Sequence, residues 1–268
     1  MDQHALCHFS ASGMAAIVNF PLWRAAAIAQ SGFVIEGPTV LSRYLKVLSP
    51  ETMPYRGVFA TVFGMTWARA AIFYGSDKGK HWMLDKNISK PIAQTIPPLI
   101  ISCCVQFINM PLVRSAIMIQ DPKSNFSNVT QAMSYIKQTR GFGALWHGLS
   151  AGVLKTVPKY MTAIVVKDYM EENLPLADPS KGNTDILIRS GIKSVSAGLA
   201  GAALTNPLDV LRNEMFKTDL NLIETYKHLM KKEGITFCIR GMASNCTAVA
   251  IPIAITIFFT DMFERALK

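Results

Sequence analysis

Pro207-Leu208-Asp209-Val210-Leu211-Arg212 closes a long apolar stretch, and two earlier stretches of the chain close in a similar way. The earlier versions read Pro21-Leu22-Trp23-Arg24 and Pro111-Leu112-Val113-Arg114. The three prolines are 90 and 96 residues apart. Self-similarity at a nearly fixed long period predicts repeated structural units that bury their apolar faces against one another.

A second marker recurs downstream of each proline. A basic residue precedes glycine at Arg56-Gly57, His147-Gly148 and Arg240-Gly241, and the glycines are 91 and 93 residues apart. Two markers in three copies predict one domain over residues 1–268, built from repeats of about 1–85, 86–178 and 179–268. An aspartate follows each glycine after 20 residues: Asp77, Asp168 and Asp261.

The composition favours a membrane protein. Half of the 268 residues are hydrophobic, and charged residues make up 17%, against roughly 25% in an ordinary soluble domain. The formal net charge of +9 suits contact with anionic lipid headgroups. The sequence offers no recognisable nucleic-acid-binding module, so we expect no nucleic-acid partner. It begins with neither a secretory signal nor an Arg-rich transit peptide, so any organelle address is expected to be internal.

Six segments are apolar enough to cross a bilayer as helices of about 20 residues each. Pro21, Pro111 and Pro207 lie in the odd segments, and a proline inside a helix removes a backbone donor, so we expect kinks there. Polar stretches with apolar residues at helical spacing, such as 129–137 and 222–230, predict helices lying on the membrane surface. The six segments are Ala5–Gln30, Val58–Ser76, Ile92–Gln120, Leu149–Asp168, Ile186–Phe216 and Ser244–Phe263.

These features together resemble the mitochondrial carrier family over essentially the whole chain. Its first signature, Pro-x-[Asp/Glu]-x-x-[Lys/Arg], is complete in 207–212, and its aromatic-basic-Gly signature opens the even segments at 55–57 and 146–148. The resemblance implies an all-α barrel of six transmembrane helices in three pseudo-symmetric repeats, with surface helices on the matrix side. It further implies a multi-pass protein of the mitochondrial inner membrane, with both termini toward the intermembrane space.

The resemblance also implies a ring of ion pairs at the matrix end of a central cavity, and most of that ring is missing. Asp209 and Arg212 remain in repeat three. Arg24 and Arg114 lie one residue beyond the missing acids, about 100° around the helix. We interpret them as extending toward the matrix headgroups, and the alternative is a rewired pair with Asp209. The other ring positions hold Trp23, Ala26, Val113 and Ala116.

The second ring of the family, at the cytoplasmic end, is altered as well. Repeat one keeps Asp77 and Lys80, whereas the later repeats put acids at both ring positions. Five acids and one base repel one another rather than pair. The later pairs are Asp168 with Glu171, and Asp261 with Glu264.

The family binds cardiolipin phosphates at the even-helix starts, where backbone N–H groups favour an anion on physical grounds. The resemblance therefore makes cardiolipin a bound lipid here. The alternative is that the glycines only allow close helix packing. The candidate residues are Arg56, Gly57, His147, Gly148, Arg240 and Gly241.

The family's substrate-contact positions fall at Gly64, at Lys155 with Thr156, and at Ala248. Lys155 carries the only charge among them, and a charge at mid-membrane depth is costly enough to indicate function. A base followed by a small polar residue resembles carriers of keto acids and carboxylates. The alternative is that Lys155 only balances Asp168 or another acid.

Two classes of function follow. The missing ring charges favour a degenerate, non-transporting carrier that serves as an accessory subunit of a larger inner-membrane assembly, such as a respiratory complex. The alternative is a solute carrier that exchanges a small anionic metabolite, anchored by Lys155. Lipid handling and protein translocation are further alternatives. No catalytic triad, metal-ligand cluster or phosphate loop is present in the sequence, so we expect neither enzymatic activity nor a metal or other cofactor.

Overall fold

The structure is a computed structural model, and it describes residues 13–35, 39–49, 54–175, 183–252 and 255. Within these ranges the chain forms α-helices and short 3₁₀ turns at Phe142–Trp146 and Gly234–Ile239, without a β-strand. The predicted all-α class is confirmed. The helices are α1 Phe20–Ser31, α2 Val40–Leu48, α3 Val58–Asp85, α4 Lys90–Met118, α5 Val129–Arg140, α6 Leu149–Leu154, α7 Thr156–Asn173, α8 Asn183–Thr218, α9 Leu222–Glu233 and α10 at residues 242–252.

The chain divides into two compact units. The first comprises 1–55, 158–206 and 239–268, and the second comprises 56–157 and 207–238. Each unit takes segments from all three predicted repeats. The single carrier domain and its repeat boundaries stay predictions.

The three signature prolines occupy different helical positions. Helical residues 13–18 precede α1, and the helix is interrupted at Asn19, whose Nδ2 donates to the Ala15 carbonyl (2.6 Å). Pro21 therefore lies in the first turn of α1, where its missing N–H is not needed. Pro111 and Pro207 lie inside the continuous helices α4 and α8. The kinks expected at these two prolines stay predictions.

Short helices stand between the odd and even helices, and local side-chain caps begin each one. The Gln131 N–H donates to Asn128 Oδ1 (2.8 Å) at the start of α5. Asn221 and Glu224 form a reciprocal capping box at the start of α9, which satisfies two backbone donors. The helices predicted at 129–137 and 222–230 are confirmed as helices.

Each short helix packs against the end of an odd helix. In the first unit, Ala25 and Ile28 of α1 form a buried apolar cluster with Val47 of α2. In the second unit, Val210 and Leu211 of α8 pack with Leu229 of α9 and with Phe237. These contacts fix the residues just after the signature prolines, where the candidate site lies.

Two described helical stretches are long and apolar enough to cross a membrane: Ile92–Met118 and Leu222–Pro252. The second includes α9, a 3₁₀ turn and α10. The sequence predicted six membrane spans, which is more than the two found among the described residues. In α8, both the charged residues Arg189, Lys193 and Asp209 and the Ser, Gly, Thr and Asn residues between them lower the mean hydropathy.

Candidate functional site

Lys155 lies at a break in the fourth predicted span. Helix α6 ends at Leu154 and α7 begins at Thr156, with the Lys155 N–H still bonded to the Ala151 carbonyl (3.2 Å). Pro158 explains the break, because it has no N–H to donate to the carbonyl four residues earlier, at Leu154. The sequence reading considered only the prolines of the odd segments and missed this one.

The Lys155 side chain meets the remnant of the predicted matrix ring. Its Nζ lies 2.6 Å from Asp209 Oδ1, and Arg212 Nη2 lies 3.0 Å from the same oxygen. The side chains of Lys155, Asp209 and Arg212 are only 13%, 13% and 11% exposed. We call these three residues the Lys155 cluster. It joins a base of repeat two to the acid of repeat three, and together its side chains carry one net positive charge.

Arg212 is held by more than Asp209. Its guanidinium lies over the Phe216 ring, 5.9 Å from the centroid, and its Nε and Nη2 each lie 3.4 Å from Asn213 Oδ1. The Arg212 Cγ is 3.4 Å from where a Cβ on Gly148 would stand. Arg212 therefore has contacts with Phe216 and Asn213 besides its pair with Asp209.

The other predicted contact residues do not join this cluster in the described contacts. A Cβ on Gly64 would lie 2.8 Å from Leu112 Cδ2, so this position packs against α4. The Thr156 hydroxyl donates to the Gly152 carbonyl (3.1 Å) and is buried. Ala248 belongs to the first compact unit, whereas Gly64, Lys155 and Thr156 belong to the second. Their roles as substrate contacts stay predictions.

Arg24 and Arg114 do not extend toward headgroups, and that interpretation is wrong. They are 3% and 1% exposed, because each turns into the protein to donate to backbone carbonyls. Arg24 Nη1 donates to the Val47 carbonyl (3.3 Å). Arg114 donates to the Ala144 and Phe216 carbonyls and pairs with Asp219 instead of Asp209.

Asp219 is an acid that the sequence reading missed. It lies between α8 and α9 in a left-handed conformation (φ +56°), and its carboxylate pairs with both Arg114 and Arg140. A cavity of about 490 Å³ opens beside it. Its lining residues are Arg140, Gly143, Ala144, Trp146, His147 and Asp219. Asp219 lies between two helices, and no motif in the sequence indicated that it would pair with two arginines.

The basic residues before the three helix-start glycines make one type of contact. Arg56 Nη2 donates to the Ser124 carbonyl (2.9 Å) and also to that of Phe126. The His147 Nε2 lies 2.9 Å from the Leu220 carbonyl, and Arg240 Nε donates to the Gln30 carbonyl (3.0 Å). Arg56 and His147 bind the chain just after an odd helix of another repeat, and Arg240 binds the last turn of one. They serve first as ties between repeats.

The glycines themselves are required by backbone geometry. Gly57, Gly148 and Gly241 have φ values of +78°, +89° and +69°, which L side chains rarely adopt. A Cβ would lie 2.4 Å from Ile119 Cδ1, 2.6 Å from Phe216 Cε1 and 2.6 Å from the Gln30 N, respectively. Close packing, the alternative of the sequence analysis, therefore applies at all three positions.

Burial lowers the pKa of His147, and the nearby Arg114 charge lowers it further. The neutral imidazole is therefore favoured, and it donates its Nε2–H to Leu220. Arg140 is then the main positive charge facing the cavity beside Asp219, since Arg114 is fully buried.

At the predicted cytoplasmic ring, the described contacts differ from the family pattern. Asp77 pairs with His81 at 3.5 Å, and both side chains are exposed. Glu171 pairs with Arg189 (2.9 Å) and with Lys193, two bases of α8 that lie outside the signature. Bonding to Lys193, more than the Arg189 charge, lowers the pKa of the Glu171 carboxyl. Asp261 and the Asp168 side chain lie outside what the structure describes. The role of Lys80 in the cytoplasmic ring stays a prediction.

Two asparagines near the prolines are further residues that sequence reasoning missed. Asn109 Nδ2 donates to the Gly64 carbonyl (3.1 Å), and Asn109 Oδ1 accepts from Trp67 Nε1 (2.8 Å). Asn206 Nδ2 donates to the Arg240 carbonyl (3.1 Å), and its Oδ1 accepts from Gln30 Nε2 (2.9 Å). An asparagine one or two residues before each signature proline was a recurring signal that pointed to these contacts.

The sequence model described as "Mitochondrial carrier protein" matches residues 99–177 and 185–268. These ranges cover more than half of the chain and correspond to the second and third predicted repeats. The chain belongs to the mitochondrial carrier family. Its members are proteins of the mitochondrial inner membrane, and the all-α carrier fold predicted from the sequence is confirmed.

Individual mitochondrial carriers that resemble the chain are named as transporters. The mitochondrial coenzyme A transporter of Xenopus laevis is 28% identical over 157 residues, which cover 56% of this chain and 47% of that protein. The chain therefore spans about half the length of this relative. The mitochondrial ornithine transporter 1 of Saccharomyces cerevisiae is 24% identical over 76% of this chain and 74% of its own length. The mitochondrial glycine transporter of Vanderwaltozyma polyspora is 21% identical over 61% and 58%.

Proposed function

We propose that this mitochondrial carrier moves a small anionic solute, a carboxylate or keto acid, across the inner membrane, with both of its termini toward the intermembrane space. The Lys155 cluster is the observation that carries the proposal. Two largely buried cations share one carboxylate there, so the cluster favours a further negative charge.

The relatives support transport more than the accessory-subunit role that the sequence alone favoured. The three proteins compared above are named as transporters of coenzyme A, ornithine and glycine. These solutes differ in size and charge, so family membership does not select a substrate. We assign the choice of an anionic solute to the positive charge of Lys155.

Reconstituted uptake tests the proposal directly. The full chain is inserted into liposomes, and uptake of labelled succinate, pyruvate, ornithine and glycine is measured. We expect uptake of a carboxylate in the wild type and its loss in Lys155→Gln. Lys159→Gln is the matched control, since it removes an exposed lysine one helical turn further along α7. Uptake of no solute, or equal uptake by Lys155→Gln, contradicts the proposal.

The accessory-subunit reading predicts a different outcome. The missing signature charges support it, because alternating access needs closed states that ligands can rebalance. Extraction in mild detergent would then give a stable complex with stoichiometric inner-membrane subunits. Such a complex, together with proteoliposomes that take up none of the solutes, would favour the structural role.

We also propose cardiolipin as a bound lipid, at the cavity beside Asp219. Arg140 lines this cavity and supplies a cation for a phosphate, although it already pairs with Asp219. Thermal stability in detergent with added cardiolipin tests whether this lipid binds. Cardiolipin should raise the melting temperature more than phosphatidylcholine does, and Arg140→Gln should reduce that gain. An equal effect of both lipids contradicts the proposal.

A further inference from the structure

Pro111 leaves one carbonyl of α4 without its usual partner. A helical carbonyl normally accepts from the peptide N–H four residues later, and a proline has none, so the carbonyl of Phe107 loses this bond. Phe107 lies within the apolar stretch Ile92–Met118 and is 53% exposed. In a membrane such a carbonyl has no water to bind, and leaving it unpaired is costly. Another donor is therefore needed at this point of α4.

The indole of Trp146 supplies a donor. Its Nε1–H donates to the Phe107 carbonyl over 2.8 Å, an ordinary length for an N–H···O hydrogen bond. Two ring contacts hold the indole there. Trp146 stacks on Phe107 with the ring centroids 5.6 Å apart, and it packs against Phe142 at 5.1 Å. Trp146 is thus fixed beside the residue that Pro111 deprives of its donor.

The 3₁₀ turn that contains Trp146 also contacts α4 beyond the proline. We call this turn, Phe142–Trp146, the bridging turn. The carbonyl of Ala144 in this turn accepts from Arg114, which lies three residues after Pro111. The bridging turn is therefore bonded to α4 on both sides of Pro111. Because a change in the angle of α4 at Pro111 must strain one of these two bonds, the turn restrains the helix at the place where bending is easiest.

The other two repeats differ at the corresponding positions. Ile239 takes the place of Trp146 in repeat three, and its side chain has no hydrogen-bond donor. In repeat one Tyr55 stacks on Phe20 with centroids 6.3 Å apart, and Pro21 lies in a first helical turn, where its missing N–H is not needed. Repeat two combines a proline inside a continuous helix with an indole that donates to the affected carbonyl.

We propose that the bridging turn is a restraint on the hinge of α4, in which the Trp146 indole takes the place of the peptide N–H that Pro111 lacks. A change in the angle of α4 must then break the Trp146 bond or move the start of α6, which begins three residues after Trp146. The restraint couples bending of the odd helix to the position of the even helix in the same repeat. It does not require the proposed function, because its contacts include neither Lys155 nor a solute.

A double-mutant cycle in the full chain tests the replacement of one donor by the other. Trp146→Phe keeps an aromatic ring but removes the N–H, and Pro111→Ala restores a peptide N–H for the Phe107 carbonyl. We expect Trp146→Phe to lower the apparent melting temperature by about 2–12 °C, followed by circular dichroism in detergent at one scan rate. In the Pro111→Ala background the same substitution should lower it by less than half as much, since the carbonyl then has a second donor. An equal loss in both backgrounds, or no loss in the wild type, overturns the proposal.

Trp67→Phe is the matched control for this cycle. It also removes an indole donor that bonds to α4, but the acceptor is the side chain of Asn109 rather than a carbonyl affected by Pro111. Its effect on the melting temperature should therefore be the same in the wild type and in Pro111→Ala. If both tryptophans depend on Pro111 to the same extent, the cause is a general change in the packing of α4, and the proposal is wrong.

Hydrogen exchange of the indole N–H groups gives a measurement on the wild type, so that the test does not depend on a variant folding. The full chain is produced with isotope-labelled tryptophan, and its four indole N–H signals are followed by NMR in heavy water. The N–H of Trp146 should exchange at least about tenfold more slowly than that of Trp82, which is 60% exposed. Exchange at Trp146 as fast as at Trp82 would show that the bond to Phe107 is not maintained, and this too would overturn the proposal.

Discussion

Gly241→Ala and Gly57→Ala form a matched pair that measures how closely the helix-start glycines pack. Both glycines precede an even helix and have a positive φ, +69° and +78°. An added Cβ at Gly57 lies 2.4 Å from Ile119 Cδ1, the end of a flexible side chain, whereas at Gly241 it lies 2.6 Å from the Gln30 N and 2.9 Å from the Ala29 carbonyl carbon. The pair therefore differs in contact and shares the conformational strain.

The expected difference in melting temperature follows from the different contacts of the added Cβ. The left-handed conformation costs an alanine about 1–2 kcal/mol, and this cost is common to both variants. Forcing atoms into a packed site costs about 1–3 kcal/mol more, and at Gly241 the obstacle is backbone that cannot rotate away. We expect Gly241→Ala to melt about 2–12 °C below Gly57→Ala, since the end of the Ile119 side chain can move aside.

Tryptophan fluorescence during heating in detergent, at one fixed scan rate, measures the apparent melting temperatures of both variants. Gly148→Ala adds a ranking. Its Cβ meets the Phe216 ring, which is less free to move than the end of Ile119, so it should melt between the other two variants. Equal melting of Gly241→Ala and Gly57→Ala would refute the close backbone approach, and lipid binding would then be the better account of these glycines.

Three further predictions concern the ties between elements. Burial lowers the pKa of His147 below its usual value of about 6.5, so below that pH the unfolded chain binds more protons than the folded one. The stability of the fold should therefore fall as pH drops through about 6.5. The melting temperature should be lower at about pH 5.5 than at about pH 7.5, and His147→Gln should reduce this difference. Asn109→Leu should cost about 1–3 kcal/mol and shift Trp67 emission, because it leaves the indole N–H without its acceptor. Unchanged melting and emission would contradict that bond. Glu171→Gln should lower the melting temperature at low salt and have little effect at roughly 0.5 M salt, since this carboxylate is exposed and its pairs are screened; an effect independent of salt would point to a different cause.

The fold was predictable because its signals are local. Apolar segments, prolines and glycines recur along the chain. They located two of the surface helices and most described ends of the long helices to within a few residues, although α3 continues nine residues beyond the predicted end at Ser76. The break at Lys155 was also readable, since Pro158 stands three residues beyond it. The asparagines near the prolines gave a similar signal that was not used.

The ion pairs were not predictable in the same way. Whether Asp209 meets Arg114 or Lys155 depends on where side chains reach once the helices have packed, and spacing along one helix does not fix that. Arg114 is the clearest case. Its position one residue beyond a missing signature acid suggested a charge extending toward the matrix headgroups, but the carbonyls of Ala144 and Phe216 and the carboxylate of Asp219 surround it.

Counting charges only at signature positions led the sequence reading toward a carrier without gates. In the described part of the chain, five ion pairs join repeats two and three, and they involve just three acids: Asp209, Asp219 and Glu171. Each of these acids contacts two bases, so its carboxylate keeps one partner when the contact with the other base is lost. The bases of all five pairs lie outside the signature ring positions, although Asp209 and Glu171 occupy ring positions. Missing signature charges are therefore no measure of the ion pairs between repeats two and three, and they give weaker support to a scaffold role. The relatives named as transporters make transport the better-supported proposal.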